Sequence, residues 1–257
     1  MAKIIAVTNQ KGGVGKTTTS VNLAASLGFK GKKVLLIDCD PQSNASSGVG
    51  VTRGTYELSI YDCLADSSKV KDAIIDTGFK NLFLIPSSSS LSGAEIELAY
   101  EEKREYFLKN IIDKIKDDYD FIIIDSPPAL GMLTINIMTA TDTVLIPIQC
   151  EYYALEGLSQ LIQSIRTVKK SLNPNIDIEG VLATMYDGRT NLSIQVLDEV
   201  KKYFPQKVYS TVIPRNVRLS EAPSFGEPII SYDITSKGAE SYLNLATEII
   251  KKNKEVI

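Results

Sequence analysis

The chain has 257 residues, with 28 lysines and arginines against 31 aspartates and glutamates and a formal net charge of −3. This length suits one α/β domain or two smaller ones, and so balanced a charge argues against a globally basic nucleic-acid binder. The chain contains no histidine, which excludes Ser-His-Asp and Cys-His catalytic groups, histidine-ligated zinc and imidazole bases. Any catalysis must therefore use carboxylates, lysines, backbone amides or a metal held by oxygen atoms.

The cysteines and the apolar runs indicate the cellular compartment in which the protein works. Cys39, Cys63 and Cys150 are odd in number and lack the spacing of a disulfide framework or a cysteine metal site. The first apolar run, residues 4–7, is shorter than the core of a secretory signal, and no stretch approaches the ~18 apolar residues of a transmembrane helix. We expect a soluble cytoplasmic protein with reduced thiols.

Segments typical of strands and of helices alternate along the chain. β-branched apolar runs predict strands at 3–8, 33–38, 81–86, 121–125, 143–148, 178–185 and 208–213. Helical patterns occupy about 17–29, 92–116, 131–140, 154–171, 191–203 and 237–253. Most strand runs are apolar at consecutive positions, which is typical of strands buried on both faces. The alternation predicts an α/β fold, a mostly parallel sheet flanked by helices on both faces, in a single domain over residues 1–257.

A glycine-rich turn joins the first predicted strand to the first predicted helix. Gly12, Gly13 and Gly15 would let successive backbone N–H groups point at phosphate oxygens, and the helix N-terminus adds partial positive charge. In such a loop Lys16 neutralises the β- and γ-phosphates and the Thr17 hydroxyl holds Mg²⁺. The coincidence of strand, turn, Gly-Lys-Thr and helix predicts a site for ATP and Mg²⁺.

The loop departs from the G-x-x-x-x-G-K-[ST] pattern at its start, where Gln10 replaces the first glycine and Lys11 follows. The run from Lys11 to Thr17 resembles the deviant Walker A loop of the ParA/MinD family of P-loop ATPases. The resemblance implies that Lys11 reaches across an ATP-sandwich dimer to the partner's phosphates, as an arginine finger does, and shares catalysis with Lys16. The nucleotide-binding residues would then be Lys11, Gly12, Gly13, Val14, Gly15, Lys16, Thr17 and Thr18.

Aspartates follow two predicted strands at the sheet edge where parallel sheets bind ligands. Asp38 and Asp40 end one apolar run, and Asp125 ends another. Each alone would more often cap a helix or shape a turn. Beside a phosphate loop, however, Asp38 and Asp125 are expected to join Thr17 in holding Mg²⁺ and its waters. Asp40 is expected to orient the attacking water, because histidine is absent and the family carries its catalytic aspartate in this D-x-D-P segment.

The resemblance extends to the chromosomal ParA/Soj group and covers essentially the whole chain. It is carried further by segments 121–128, 144–157 and 213–224. The family's adenine pocket maps onto Pro214 and Asn216. The resemblance implies a homodimer formed with ATP, binding to nonspecific DNA, and hydrolysis stimulated by a ParB/Spo0J-type centromere-binding protein. The ATP-bound form would associate with the nucleoid.

Residues 185–220 carry a local excess of positive charge. Six basic residues and three acidic residues lie there, on a chain whose total charge is −3. Arginine offers forked donors to phosphate oxygens, so the clustering suits contact with a nucleic-acid backbone without sequence preference. The resemblance assigns DNA binding to Arg189 and Arg218, whereas lysines such as Lys201 and Lys202 would equally well cover a solvated helix face.

Two other functions fit the same fold. A MinD-like membrane-surface ATPase that positions the division site would need a basic amphipathic C-terminal helix. The stripe of Leu243, Ala246, Ile249 and Ile250 more often packs on the domain than inserts into lipid, so no stable membrane binding is expected. A small-molecule ATP-dependent enzyme, such as a dethiobiotin synthetase, would need a substrate pocket that the sequence does not reveal.

Overall fold

The computed structural model describes residues 1–151 and 154–254. Its strands are β1 Lys3–Val7, β2 Val34–Asp38, β3 Ile75–Asp76, β4 Leu82–Ile85, β5 Phe121–Asp125, β6 Thr143–Gln149 and β7 Asp177–Thr184. They form one sheet in the order β3-β4-β2-β5-β1-β6-β7. Every pairing is parallel except the short antiparallel contact of β3 with β4. The predicted mostly parallel α/β fold is confirmed.

Helices cover both faces of this sheet. The α-helices of the described residues are α1 Lys16–Phe29, α2 Asn44–Ser47, α3 Ile60–Ala65, α4 Leu91–Leu98, α5 Phe107–Ile112, α6 Met132–Ala140, α7 Ala154–Ser171, α8 Asn191–Tyr203, α9 Val217–Glu221, α10 Ile229–Tyr232 and α11 Lys237–Lys252. Along β1, Ile5 and Val7 pack with α1 and α11, whereas Ile4 and Ala6 pack with α3 to α6. Burial on both faces explains why the strands are apolar at consecutive positions.

Two predicted elements were wrong. The helix expected over 92–116 is divided into α4 and α5, because Lys103 adopts a left-handed conformation with φ 55° between them. The strand expected over 208–213 makes only isolated bridges beside β7. Its pairing is interrupted because the Thr211 N–H and the Ser210 hydroxyl donate to the Glu248 carboxylate of α11 instead. The short strand β3 and helices α2, α3, α9 and α10 were not predicted.

Helix α11 packs on the body of the protein, as the sequence suggested. Its buried face consists of Ala239, Tyr242, Leu245, Ala246 and Ile249, and the Tyr242 hydroxyl lies 3.2 Å from Thr19 Oγ1 on α1. The buried face is therefore slightly rotated from the stripe predicted from the sequence. Ala246 and Ile249 of that stripe are buried, but Leu243 and Ile250 are only partly buried. Among the described helices, none has the length and apolarity needed to cross a membrane.

A buried carboxylate fastens the end of α11 to the sheet. Glu179 of β7 is 2% exposed, and its oxygens lie 3.5 Å from Lys3 Nζ and 3.7 Å from Lys252 Nζ. It also accepts hydrogen bonds from Thr143 Oγ1 at 2.6 Å and from Asn253 Nδ2 at 3.1 Å. Burial alone would raise the pKa of Glu179, but the Thr143 hydrogen bond and the two lysine charges outweigh it and hold the pKa below the ordinary value.

We expect Glu179→Gln to lower the free energy of unfolding by about 3 kcal/mol, because removing the carboxylate leaves the buried ammonium of Lys3 uncompensated. The folded pKa is depressed, so this stabilisation is present above the unfolded pKa of about 4.3 and is lost as the pH falls through the folded value. Urea unfolding at neutral pH measures the change. The control Glu199→Gln removes an exposed ion pair with Lys202 and should leave the free energy of unfolding nearly unchanged; equal losses in both variants would contradict the prediction.

Candidate nucleotide-binding and catalytic site

The glycine loop between β1 and α1 is held open by bonds to neighbouring strands. Gly13 and Gly15 have φ of 75° and 84°, in the left-handed region that glycine enters without a Cβ clash. Asn9 donates to the Pro147 carbonyl at 2.8 Å and accepts from the Lys11 N–H at 3.0 Å. Thr184 Oγ1 donates to the Val14 carbonyl at 2.8 Å. The loop is thus tied to β6 and β7 by side-chain hydrogen bonds.

Lys16, the first residue of α1, is buried inside this loop. It is 7% exposed, and its Nζ donates to the Lys11 carbonyl at 3.2 Å. Burial lowers the pKa of Lys16, while the charges of Asp125 and Asp40 oppose that shift. The structure therefore brings Lys16 within the influence of two of the aspartates that the sequence singled out. A cation placed there, at a helix N-terminus, is suited to bind phosphate oxygens.

Lys11 occupies a different position. Its Nζ lies 3.4 Å from Glu151 Oε2, and its side chain is 37% exposed. Its ion-pair partner is thus Glu151 and not one of the aspartates that the sequence singled out. An exposed ion pair of this kind is worth at most about 1 kcal/mol, so little free energy holds Lys11 in this arrangement.

Asp125, the last residue of β5, accepts hydrogen bonds on both oxygens. Thr17 Oγ1 donates to Oδ2 at 2.8 Å and Ser20 Oγ donates to Oδ1 at 2.7 Å. Parallel pairing of β2 with β5 sets Asp38 directly beside Asp125. Burial, followed by the charge of Asp38, raises the pKa of Asp125. The phosphate loop and the end of β5 are thereby joined through side chains.

Asp38 is fully buried at the end of β2. Its Oδ2 accepts from the Ser46 N–H at 2.8 Å and from Ser46 Oγ at 2.7 Å, and its Oδ1 accepts from the Asp40 N–H at 3.1 Å. Burial raises the pKa of Asp38 in spite of these bonds. Asp38 thus holds the segment that carries Asp40 against the sheet.

These oxygen atoms fit a magnesium ion. The Thr17 hydroxyl and two buried carboxylates are hard oxygen donors, the type that Mg²⁺ prefers, and Mg²⁺ usually keeps several waters and substrate phosphates as further ligands. Within residues 1–151 and 154–254, no group of three or more Cys, Asp or Glu side chains forms a metal cage of its own. The site therefore suits an ion shared with phosphate oxygens, with Asp38 and Asp125 in a supporting position.

Asp40 lies in a tight turn, near enough to Lys16 for its charge to oppose the lowering of the Lys16 pKa. It is 7% exposed, its Oδ1 accepts from the Gln42 N–H at 2.9 Å, and its carbonyl accepts from the Ser43 N–H at 2.9 Å. Ser43, which has φ 57°, completes the turn in the left-handed region. The carboxylate that the sequence assigned to water activation therefore has a fixed direction.

The residues expected at the adenine lie beyond the end of β7. Pro214 forms an isolated bridge with Tyr186, and Asn216 Oδ1 accepts from the Arg218 N–H at 2.8 Å at the start of α9. Neither residue lines the 410 Å³ cavity beside the phosphate loop. Thr17, Thr18, Asn22, Asn44, Ser47 and Glu227 are among the residues that line that cavity.

The sequence did not reveal the residues that support the site. Ser20, which follows Thr17 by one helical turn, could have been identified because positions three apart share a helix face. Ser46 and Thr184 reach the site from other elements, and Asn9, within the loop itself, bonds to β6; no local pattern marks these three residues.

Both arginines expected to bind DNA are exposed and paired with carboxylates. Arg189 donates from Nε and Nη2 to Asp187 at 2.9 and 2.7 Å. Arg218 Nη1 lies 2.9 Å from Glu221, and its Nε lies 3.5 Å from Asp233. Glu221 and Asp233 lie outside residues 185–220, the window over which charge was counted from the sequence. The local positive excess is therefore smaller than that count suggested.

The sheet order, the glycine loop before α1 and the aspartates ending β2 and β5 define a P-loop nucleotide-binding fold. A family model described as "AAA domain" matches residues 2–178. The sporulation initiation inhibitor protein Soj of Bacillus subtilis is 61% identical over 249 residues, which cover 97% of this chain and 98% of that protein. The chromosome-partitioning ATPase Soj of Treponema pallidum is 51% identical, over 98% and 99% of the two chains.

Solved structures agree with this assignment of the fold. Cobyrinic acid a,c-diamide synthase from Mycobacterium smegmatis, crystallised with ADP and magnesium, superposes with a TM-score of 0.86 at 35% identity, over 99% of this chain and 96% of that one. The chain belongs to the Soj/ParA family of chromosome-partitioning ATPases. The resemblance and the ATPase class inferred from the sequence are thereby confirmed.

Proposed function

We propose that this protein is an ATP-dependent DNA-partitioning switch built as a single domain. ATP and Mg²⁺ assemble a sandwich dimer that binds nonspecific DNA and associates with the nucleoid, and hydrolysis stimulated by a ParB/Spo0J-type protein releases it. The observation that carries the proposal is the buried Lys16 inside the glycine loop, followed by Thr17, which is bonded to Asp125 at the sheet edge where Asp38 also lies. A family of partitioning ATPases supplies the biological setting.

ATP hydrolysis at this site would depend mainly on the positioning of the phosphates and the attacking water. Backbone N–H groups of the glycine loop and the Lys16 ammonium would bind the phosphates, and the fixed Asp40 carboxylate would orient the attacking water. When bound, Mg²⁺ would neutralise charge on the phosphate oxygens. Thr17 is placed to hold that ion, while Asp38 and Asp125 would orient Thr17 and the surrounding waters. No histidine is needed, since phosphoryl transfer asks mainly for alignment and charge compensation.

Lys11 would complete the site in the dimer. Its weak, exposed contact with Glu151 leaves it able to reach the nucleotide of a partner subunit, where a second cation stabilises developing charge in the manner of an arginine finger. Hydrolysis and dimerisation would thus be coupled through one side chain.

DNA binding would use Arg189 and Arg218. The intramolecular carboxylate partners of both arginines compete with DNA phosphates, so a single subunit should bind weakly. A dimer doubles the number of arginines that contact one duplex, which makes retention on DNA dependent on ATP. Such binding should fall steeply as the salt concentration rises.

The proposed DNA contact is tested by Arg189→Glu. We expect ATP binding to stay intact while DNA retention is lost, because the exposed side chain makes no contact with the phosphate loop and its reversal places negative charge on the DNA face. A filter-retention assay with ATP measures the effect. The control Arg104→Glu reverses an arginine on the segment before α5 and should retain DNA; retention by Arg189→Glu at the level of the wild type would remove Arg189 from the interface.

Neutralising Asp187, the carboxylate partner of Arg189, should have the opposite effect on DNA binding. Asp187→Asn should raise DNA affinity about threefold, since Arg189 no longer has to leave its solvent-exposed ion pair. The control Asp198→Asn makes the same charge change on α8, at an acid paired with Lys201. An equal rise in both variants would show a general charge effect and contradict release of Arg189.

The alternative function is a membrane-surface ATPase of the MinD type. The apolar face of α11 is packed on α1, so it is not available for lipid in this arrangement. Residues 255–257, the end of the C-terminal run considered for membrane binding, lie outside the described residues. Co-sedimentation with anionic vesicles in the presence of ATP, compared with DNA retention, separates the two functions.

A further inference from the structure

We propose that Arg53 is a positioning residue for ATP hydrolysis, which fixes the turn that carries Asp40. The inference rests on the proposed role of Asp40. Arg53 lies in the loop between α2 and α3, outside every motif that the sequence singled out. Its Nη2 donates to two consecutive backbone carbonyls, that of Pro41 at 3.0 Å and that of Gln42 at 3.1 Å.

The turn that Arg53 contacts contains local backbone strain. Ser43 adopts φ 57° and ψ 32° without being glycine, a conformation that L-residues hold only when surrounding contacts enforce it. Inside the turn, Asp40 itself accepts from the Gln42 and Ser43 N–H groups. Arg53 binds the outer side, at the carbonyls that precede Gln42 and Ser43. The turn is therefore fixed from both sides.

Arg53 is itself supported by an anchored loop. Next to it, Val51 is 9% exposed, and its N–H donates to the Ser46 carbonyl at 3.1 Å. On the other side, Tyr56 Oη donates to the Ser87 carbonyl. Both ends of the Arg53 loop are thus attached to elements that pack on the sheet, so the guanidinium can restrain the turn.

The guanidinium group of Arg53 suits this contact. A guanidinium carries several N–H donors in a rigid plane, whereas a lysine ammonium is a single flexible point. The acceptors are neutral carbonyls, so the contact directs the backbone without neutralising the Asp40 carboxylate. The phosphate loop is held separately, through Asn9 and Thr184. Loss of Arg53 should consequently disturb the orientation of Asp40 and leave the phosphate-binding loop unchanged.

The test measures steady-state ATP hydrolysis, ATP affinity and thermal unfolding for the full chain. In Arg53→Ala we expect kcat to fall about tenfold, as small displacements of a catalytic group do, with KM and ATP affinity within about twofold of the wild type. Arg53→Lys should recover part of kcat, because its ammonium can reach one of the two carbonyls. The matched control is Arg104→Ala, since Arg104 also donates to a backbone carbonyl, that of Ala99, and its kcat should be unchanged.

Each result supports or overturns the inference. A kcat within twofold of the wild type in Arg53→Ala overturns it. A loss of ATP affinity or thermal stability in step with kcat also overturns it, because that pattern indicates a structural role. Asp40→Ala distinguishes the proposed role of Asp40 in hydrolysis from the proposed role of Arg53 in positioning it. If that variant hydrolyses ATP normally, the role of Asp40 fails, and a fall in kcat confined to Arg53→Ala would then be independent of Asp40.

Discussion

Asp40→Ala should bind ATP and form the ATP dimer but hydrolyse ATP at least about a hundredfold more slowly than the wild type, the range expected for a positioned general base or water-orienting group. Asp40 is buried in a turn fixed by the Gln42 and Ser43 N–H groups. Its charge acts on Lys16, the group that would bind the phosphates. Phosphate release measures turnover, and size-exclusion chromatography with ATP and Mg²⁺ measures dimerisation.

The control for this variant is Asp117→Ala, which removes an exposed aspartate of the segment before β5. It should hydrolyse ATP at the rate of the wild type. Normal turnover by Asp40→Ala would exclude Asp40 from the mechanism, and loss of ATP binding in that variant would indicate that Asp40 has a structural function.

Lys16→Gln should lower ATP affinity at least about a hundredfold, because charge-assisted hydrogen bonds to phosphate are among the strongest polar contacts. The Lys16 side chain is buried within the glycine loop, where water compensates poorly for the lost charge. Titration calorimetry with ATP and Mg²⁺ measures the affinity directly, and DNA retention should disappear with it.

Lys11→Gln should differ from Lys16→Gln in its effect on ATP affinity. Lys11 is directed at Glu151 in its own chain, so the variant should still bind ATP as a monomer and fail only in dimerisation, hydrolysis and DNA retention. Equal loss of ATP affinity in both variants would show that Lys11 binds the nucleotide in cis and would contradict its action across a dimer.

The sequence predicted the sheet and the phosphate site because their signals are local. Strands buried on both faces are apolar at consecutive positions, and the loop from Lys11 to Thr17 carries its function in contiguous residues. The location of Asp38 and Asp125 at one edge of the sheet followed from the rule that parallel strands bring their carboxyl ends to one edge, whereas the direct pairing of the two residues is seen only in the structure.

What the sequence missed depends on contacts between distant segments. Segment 208–213 has the composition of a strand, but Glu248, more than thirty residues away, takes the hydrogen bond of its Thr211 N–H. The pairing of Arg218 with Asp233 likewise became visible only when the chain was folded, since Asp233 lies outside the local window of charge. Arg53, between two helices that the sequence did not predict, had no pattern to mark it.

The most direct test of the proposed switch is DNA retention by the wild type and Asp40→Ala with ATP, with ADP and without nucleotide. We expect the wild type to be retained with ATP only, and Asp40→Ala with ATP to stay bound longer because it cannot hydrolyse the nucleotide that holds the dimer together. Equal retention of the wild type in all three nucleotide states would contradict the switch.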